Sequence, residues 1–316
     1  VTLPVEYGDV VDAARRIRPY VHRTPVFTSS TFDDEIGARV FFKAENLQKV
    51  GAFKARGATN AVLRLPDDTP GVVTHSSGNH GQAVAYAASI RGVPAWVAVP
   101  RTAPALKIEA IRSYGAEVVL CDHTERDATA AAIAERTGAV LIHPFDNADV
   151  IAGQGTAALE LLDQVPDLDA IVAPIGGGGL LSGTATAAAG TGRDIAVYGA
   201  EPYAVDDAYR SLASGKRLPG VPSPVTLADG LLTGIGARPF AILTALGTEI
   251  IRVTETAILA ADRFLLLRMK LLVEPSGATP LAAIRTEPEH FADRRVGVIL
   301  TGGNTDLAWL DAALRL

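Results

Sequence analysis

Apolar residues fall along this chain in two rhythms, short continuous runs and longer stretches at helical spacing, and from residue 71 onward the two alternate. The first stretch, VEYGDVVDAARRIRPYV, sets Val10, Val11, Ala14 and Ile17 at helical spacing behind Asp9 as N-cap, and predicts an amphipathic helix. The β-rich run ARVFFKAEN then leads into GAFKARGA at 51–58, where a helix starts near Lys54 and ends at Pro66 and the turn-forming PDDTP. Beyond it GVVTHS, AWVAVP and AEVVLC read as strands, GQAVAYAASI, ALKIEAIRSY and ATAAAIAERT as helices, and AVLIHP closes the block. A second block repeats the logic. Helix GTAALELLDQV, strand DAIVAPI, a helix around LLSGTATAAA, strand DIAVYGAE and helix DDAYRSLAS precede a Gly-, Pro- and Ser-rich loop at 216–237. The helical run ETAILAADRFLLLRMKLL, the segment EPSGATPLAAI, the strand RVGVILTGG and a helix from Asp306 finish the chain.

Strands alternating with helices of this length form right-handed βαβ units, so the predicted fold is α/β with two lobes, each an open, mostly parallel sheet flanked by helices. The order of the segments places residues 1–66 and 147–316 in a large domain and 67–146 in a small domain inserted into it. The length of 316 residues suits two such lobes and a complete enzyme.

Composition narrows the function. With 29 basic against 35 acidic residues and no Lys/Arg-rich run, neither a nucleic-acid partner nor an anionic membrane surface is expected. No run of apolar residues is long enough to predict a membrane span. The single cysteine, Cys121, leaves no internal disulfide and no Cys-cluster zinc site, which suits a reducing cytoplasm.

Ligands of open parallel sheets bind beyond the carboxyl ends of the strands, and four special loops fall there. Gly176, Gly177, Gly178 and Gly179, between a strand and a helix, would expose successive backbone N–H groups to a phosphate; a tight turn is the alternative. The dinucleotide pattern G-x-G-x-x-G fails, because Leu181 and Ser182 stand where the third glycine belongs. Ser76, Ser77, Asn79 and His80, in HSSGNHG, offer hydroxyls, an amide and a helix start suited to a carboxylate, or simply cap that helix. Glu201 and Asp207, with the backbone between them, suit a hard cation such as Mg²⁺, Mn²⁺ or Ca²⁺, and equally a helix cap. TGGN at 301–304 is the fourth loop. Lys54 alone reads as a surface cation with its stem along an apolar face.

Taken together, AFKARGA around Lys54, HSSGNHGQA at 75–83, IGGGGL at 175–180, EP-x-x-x-DD at 201–207, ADG at 228–230 and TGGN resemble the serine/threonine dehydratase and serine racemase family of pyridoxal-phosphate enzymes, fold type II, over essentially the whole chain and in the same order. The resemblance implies that Lys54 forms a Schiff base with pyridoxal 5'-phosphate and that Phe53 packs beside the ring. It assigns the phosphate to Gly176–Gly179, the ring hydroxyl to Asn79 and the pyridine nitrogen to Thr301. It places Ser77 across the ring from Lys54 as a second proton-transfer group, with Ser76, Asn79 and the amides near His80 on the substrate carboxylate. Arg126, in TERDA, matches an arginine at the active-site mouth of racemase-type relatives, and Glu201, the Val205 carbonyl and Asp207 match a divalent-cation site.

Pyridoxal phosphate is an electron sink, so the protein need only anchor, orient and move protons. A hydroxyl rather than a carboxylate at the pyridine nitrogen weakens the sink and favours elimination. The implied activity is an L-threonine/L-serine ammonia-lyase giving a 2-oxo acid and ammonia from a small hydroxy amino acid, in a homodimer. Serine racemase with side elimination and 3-hydroxyaspartate dehydratase are the alternatives within the family. A non-catalytic α/β module binding a phosphorylated ligand is the alternative outside it.

Overall fold

A computed structural model describes residues 3–76 and 78–316. The chain opens with α1 (Tyr7–Ile17), β1 (Val26–Thr28), α2 (Ser30–Ile36), β2 (Arg39–Ala44) and α3 (Lys54–Leu63). Then come β3 (Val72–His75), α4 (Asn79–Arg91), β4 (Ala95–Pro100), α5 (Ala105–Ser113), β5 (Glu117–Cys121), α6 (Arg126–Thr137) and β6 (Val140–Leu141). A third group is α7 (Ala148–Gln164), β7 (Ala170–Pro174), α8 (Gly179–Ala189), β8 (Ala196–Pro202), α9 (Asp207–Ser214) and α10 (Ala237–Ala245). The last is β9 (Glu249–Val253), α11 (Glu255–Leu267), α12 (Pro275–Thr286), β10 (Arg295–Leu300) and α13 (Leu310–Leu314).

The strands make a six-stranded sheet ordered β1-β2-β10-β7-β8-β9 and a four-stranded sheet ordered β5-β4-β3-β6. Every pairing is parallel except β1 with β2. Sequence neighbours β2 and β3 lie in different sheets, and the large sheet resumes only with β7. Parallel strands need crossovers, and the helices that supply them cover both faces, which is why strands such as AIVAP are buried on every residue.

The Lys54 helix sits between the two sheets. Its Ala55, Ala58, Ala61 and Val62 share one core with Val72, Val97, Ala83 and Ile142 of the small-sheet layer. Its other side carries Arg56, fully buried, whose Nε and Nη2 each donate to the Glu45 carboxylate at 2.7 Å while Nη1 and Nη2 reach Glu160 at 2.8 and 2.9 Å. Lys43 Nζ donates to the same Glu160 at 2.7 Å and to Gln164 Oε1 at 2.8 Å. Buried charges survive only when each has its partners, and this set balances two cations against two carboxylates.

Local readings of the sequence shift in four places. Helix α1 begins after Glu6, not Asp9: Glu6 and Asp9 form a reciprocal capping box with Asp9 at the third position, and the inward set is Val10, Ala13 and Ile17. Strand β1 and helix α2 had no strong pattern in the sequence, the strand being only three residues long. Helix α11 stops at Leu267, well before the apolar run ends, because the chain turns through Lys270 at φ 60° toward the loop bearing Glu274. The last helix starts at Leu310 rather than Asp306, whose Oδ1 instead accepts from Ala308 N at 3.0 Å.

Candidate active site

Lys54 is the first residue of α3, and its Nζ donates to the carbonyl of Pro144 at 2.9 Å. It lies 5.2 Å from the centroid of the Phe53 ring. Desolvation by the surrounding protein disfavours the ammonium and pulls its pKa down to about 8, against the opposing pull of Glu274. A lysine tuned this way is a usable nucleophile and base near neutrality.

Gly176–Gly179, linked to Lys54 through the Pro144–Phe145 segment, are all buried between β7 and the start of α8. Gly178 takes φ 87° and α8 has no side-chain cap, so the amides of Gly177, Gly178, Gly179 and Leu180 find no protein acceptor among the described residues. Buried amides without acceptors at a helix N-terminus form an anion nest. The loop must be glycine for packing reasons as well. A Cβ on Gly177 would lie 2.2 Å from Phe145 Cγ, and one on Gly176 would lie 2.9 Å from Leu231 Cα in the ADG loop.

The third wall belongs to the loop after β3 and to α4. Asn79 Oδ1 accepts from Asn304 Nδ2 at 2.8 Å, and its own Nδ2 donates to Glu274 Oε1 at 2.8 Å. Asn304 also donates to the Val50 carbonyl at 2.7 Å, so the polarity of the chain is set by a backbone oxygen that can only accept. The second N–H of Asn79 Nδ2 has no acceptor among the described residues. His80 is buried, with Nε2 3.0 Å from the Ile142 carbonyl and Nδ1 without a partner among the described residues; burial, then Lys54, pushes its pKa well down, which keeps it neutral. Ser76 Oγ accepts from Gly78 N at 3.2 Å, while Ser77 lies outside the described residues.

Thr301 directly follows β10, and its carbonyl accepts from Phe53 N at 2.9 Å, which fastens the Lys54 loop to the TGGN loop. Gly277 leaves room for its side chain: a Cβ there would lie 3.2 Å from Thr301 Oγ1. Glu274, whose amide donates to the Gly302 carbonyl at 2.9 Å, is buried among these loops, and burial, then Asp229, raises its pKa to about 8. Lys107 on α5 closes the rim with a 2.6 Å ion pair to Asp229. Arg126 stands outside this group: half-buried at the start of α6, it donates to its own-turn His123 carbonyl at 3.0 Å and lies near His75, which faces Asp127 at 3.3 Å.

Glu201, near the end of β8, Val205, in the turn after it, and Asp207, at the start of α9, lie apart from the groups above. The Glu201 carboxylate accepts from the amides of Ala208 at 3.0 Å and Tyr209 at 2.8 Å, and Asp207 Oδ2 from Ile235 N at 2.9 Å. Burial outweighs these bonds and raises the Glu201 pKa to about 8. Asp206 is turned away to Arg210 and Arg252 at 2.8 and 3.0 Å. Among the described residues no group of three or more His, Cys, Asp or Glu side chains converges as a metal site.

Sequence reasoning missed Pro144, Phe145, Glu274 and Asn304. The first two follow a strand of only two residues, and the last two reach the site across 195 and 225 positions.

The model of the family described as pyridoxal-phosphate dependent enzyme matches residues 17–302. Serine racemase of Dictyostelium discoideum is 48% identical, covering 98% of this chain and 98% of that protein. Beta-hydroxyaspartate dehydratase of Paracoccus denitrificans is 45% identical over 95% of this chain and 96% of its own. The crystal structure of T.th. threonine deaminase superposes with a TM-score of 0.91 at 46% identity, covering 95% of this chain and 99% of that one. With matches of this extent and a buried lysine set against an anion nest, the chain belongs to the family of pyridoxal-phosphate-dependent enzymes, among relatives that are lyases and racemases.

Proposed function

We propose that the protein is an L-threonine/L-serine ammonia-lyase that uses pyridoxal 5'-phosphate held by Lys54. The observation that carries this reading is that one short segment touches both anchors: the Pro144 carbonyl accepts from Lys54 Nζ, and the neighbouring Phe145 ring packs on Gly177. In this reading Gly176–Gly179 hold the phosphate, the free N–H of Asn79 meets the ring hydroxyl, Thr301 meets the pyridine nitrogen and Phe53 packs beside the ring. Bound there, the cofactor supplies the electron sink for bond cleavage at the substrate Cα.

The chain's own residues do the rest. With a pKa of about 8, about a tenth of free Lys54 amine is neutral at pH 7, against well under a thousandth for an ordinary lysine, so it is placed to take the Cα proton. Ser76, Asn79 and the amides at the start of α4 hold the substrate carboxylate, and Ser77 is assigned the opposite proton-transfer position. The large domain (1–66 and 147–316) and small domain (67–146) are proposed to meet around α3, whose alanines pack with the small-sheet core while its Arg56 bonds to Glu160 of α7. A homodimer is part of the proposal, supported by the exposed Leu47 and Leu272 on segments joined by the 3.0 Å Asn46–Leu272 hydrogen bond.

Two further readings have support. Racemisation is supported by the likeness to serine racemases, and an acidic substrate such as 3-hydroxyaspartate by the likeness to beta-hydroxyaspartate dehydratase. Incubation with L-serine, L-threonine and L-threo-3-hydroxyaspartate, following 2-oxo acid and product chirality, separates them. The expected result is 2-oxo acid from serine or threonine outpacing any D-isomer; D-serine appearing faster than pyruvate overturns the assignment.

A divalent cation, Mg²⁺, Mn²⁺ or Ca²⁺, is proposed between Glu201, the Val205 carbonyl and Asp207. Its support is two buried carboxylates that form no ion pair among the described residues, and a Val205 carbonyl to which no described amide donates. Because the Glu201 pKa is raised from 4.5 to about 8, the folded form keeps a proton that the unfolded form loses. Its contribution to stability therefore falls as pH rises through that window. A cation replaces the proton, so stabilisation by Mg²⁺ should grow with pH across it and reach about 2–3 kcal/mol at a hundredfold excess over Kd. Thermal melts of the wild type and Glu201→Gln with and without Mg²⁺ check this: the increment should vanish in the variant, and an equal increment in both refutes the site.

A further inference from the structure

The HPFD segment at 143–146 contains a residue that neither the family motifs nor the proposed chemistry uses. Asp146 Oδ2 accepts from Ala237 N at 3.0 Å and Oδ1 from Arg238 N at 3.1 Å. These are the first two amides of α10, whose own N-cap, Gly236, offers no side chain. Arg238 Nη1 returns to the Asp146 carbonyl at 3.0 Å and to Oδ1 at 3.3 Å. A carboxylate 91 residues upstream thus does the work of a missing N-cap and faces the positive end of the helix dipole.

The start of α10 in turn supports the glycine run. Gly236 N donates to the Gly177 carbonyl at 3.1 Å, and Pro239 Cβ would lie 2.7 Å from a Cβ on Gly178. On the other side of the same segment, Phe145 packs on Gly177 and Gly179 and the Pro144 carbonyl holds Lys54. His143 Nδ1 tightens the turn by accepting from Asp146 N at 2.9 Å. Both anchors, the amine and the anion nest, are therefore tied to four consecutive residues, and Asp146 is the one that fastens those residues to the far wall of the nest.

We infer that Asp146 is a positioning residue that sets the glycine cradle at its working distance from Lys54 by capping α10. The inference rests on the proposed cofactor site. The Asp146 carboxylate bonds only to Ala237 and Arg238 among the described residues and not to Lys54, Phe53 or Asn79, so its loss should be felt through the cradle that would hold the phosphate.

The test compares dissociation constants for pyridoxal 5'-phosphate and for phosphate-free pyridoxal, read by visible absorbance, in the wild type, Asp146→Ala, Asp146→Asn and Ala237→Pro. Proline is tolerated at the first helical position but removes the amide that Asp146 receives. Asp146→Ala and Ala237→Pro should each weaken pyridoxal 5'-phosphate about tenfold and change pyridoxal by less than about twofold, with Asp146→Asn, which keeps one of the two acceptor oxygens, recovering part of the loss. Equal weakening of both ligands, or unchanged affinity for pyridoxal 5'-phosphate, overturns the inference. Should Asp146→Ala give no cooperative thermal transition, Ala237→Pro decides by the same criterion. A wild type that does not prefer the phosphorylated ligand overturns the cradle assignment itself, a failure distinct from that of Asp146.

Discussion

Lys54→Ala is expected to lower kcat on the order of 10³-fold or more and to remove the visible absorbance of the bound cofactor, while leaving the melting transition cooperative. The size follows from the absence of a substitute. Lys107, at the rim, is held by Asp229 at 2.6 Å, and Lys43 is sealed in the Glu160 network. Folding should survive because Lys54 opens its helix, and α3 is fastened through Arg56 and the alanines behind it. Lys54→Arg should not rescue, since a guanidinium stays protonated. The rate at which apoenzyme captures the cofactor should rise with pH through about 8, because only the neutral amine attacks.

Gly177→Val should weaken pyridoxal 5'-phosphate binding about tenfold to a hundredfold. The added Cβ would lie 2.2, 2.3 and 2.5 Å from three carbons of the Phe145 ring, the rooted end of that side chain rather than a mobile tip. Overpacking at such a point costs about 1–3 kcal/mol, which is that range of affinity. Moving Phe145 also moves the adjacent Pro144 carbonyl, so Lys54 loses its parking place at the same time. Gly8→Ala is the control, because a Cβ there meets nothing within 4 Å. Equal cofactor affinity in Gly177→Val and wild type, measured by fluorescence titration, would contradict the cradle.

Much of the architecture was legible because parallel strands buried on both faces leave unbroken apolar runs, and helices between them leave a 3.6-residue period. Glycine runs at strand–helix junctions were legible for a similar reason, since they stand where open sheets bind ligands. Asp9 misled because a capping box puts a carboxylate at both ends of the first turn, and sequence does not show which one begins the helix. The run through Leu272 misled because hydrophobicity does not report the left-handed turn at Lys270. Glu274 was hidden for a different reason. It looks like an exposed acidic residue before a proline, the usual start of a helix, and only folding places it against Asn79 of the other sheet's layer. Asp146 was hidden in the same way, because its partners lie 91 and 92 residues away and are backbone amides.

These hidden groups are also what give the site its electrostatic character. A lysine lowered to about 8 beside a carboxyl raised to about 8 makes the charge of the site change near neutrality.

Borohydride reduction of the cofactor-loaded protein, followed by digestion and peptide mass mapping, puts the Lys54 anchor to its sharpest test. One reduced pyridoxyl-phosphate adduct is expected, on Lys54; an adduct on any other lysine, or bleaching without an adduct, would contradict the assignment.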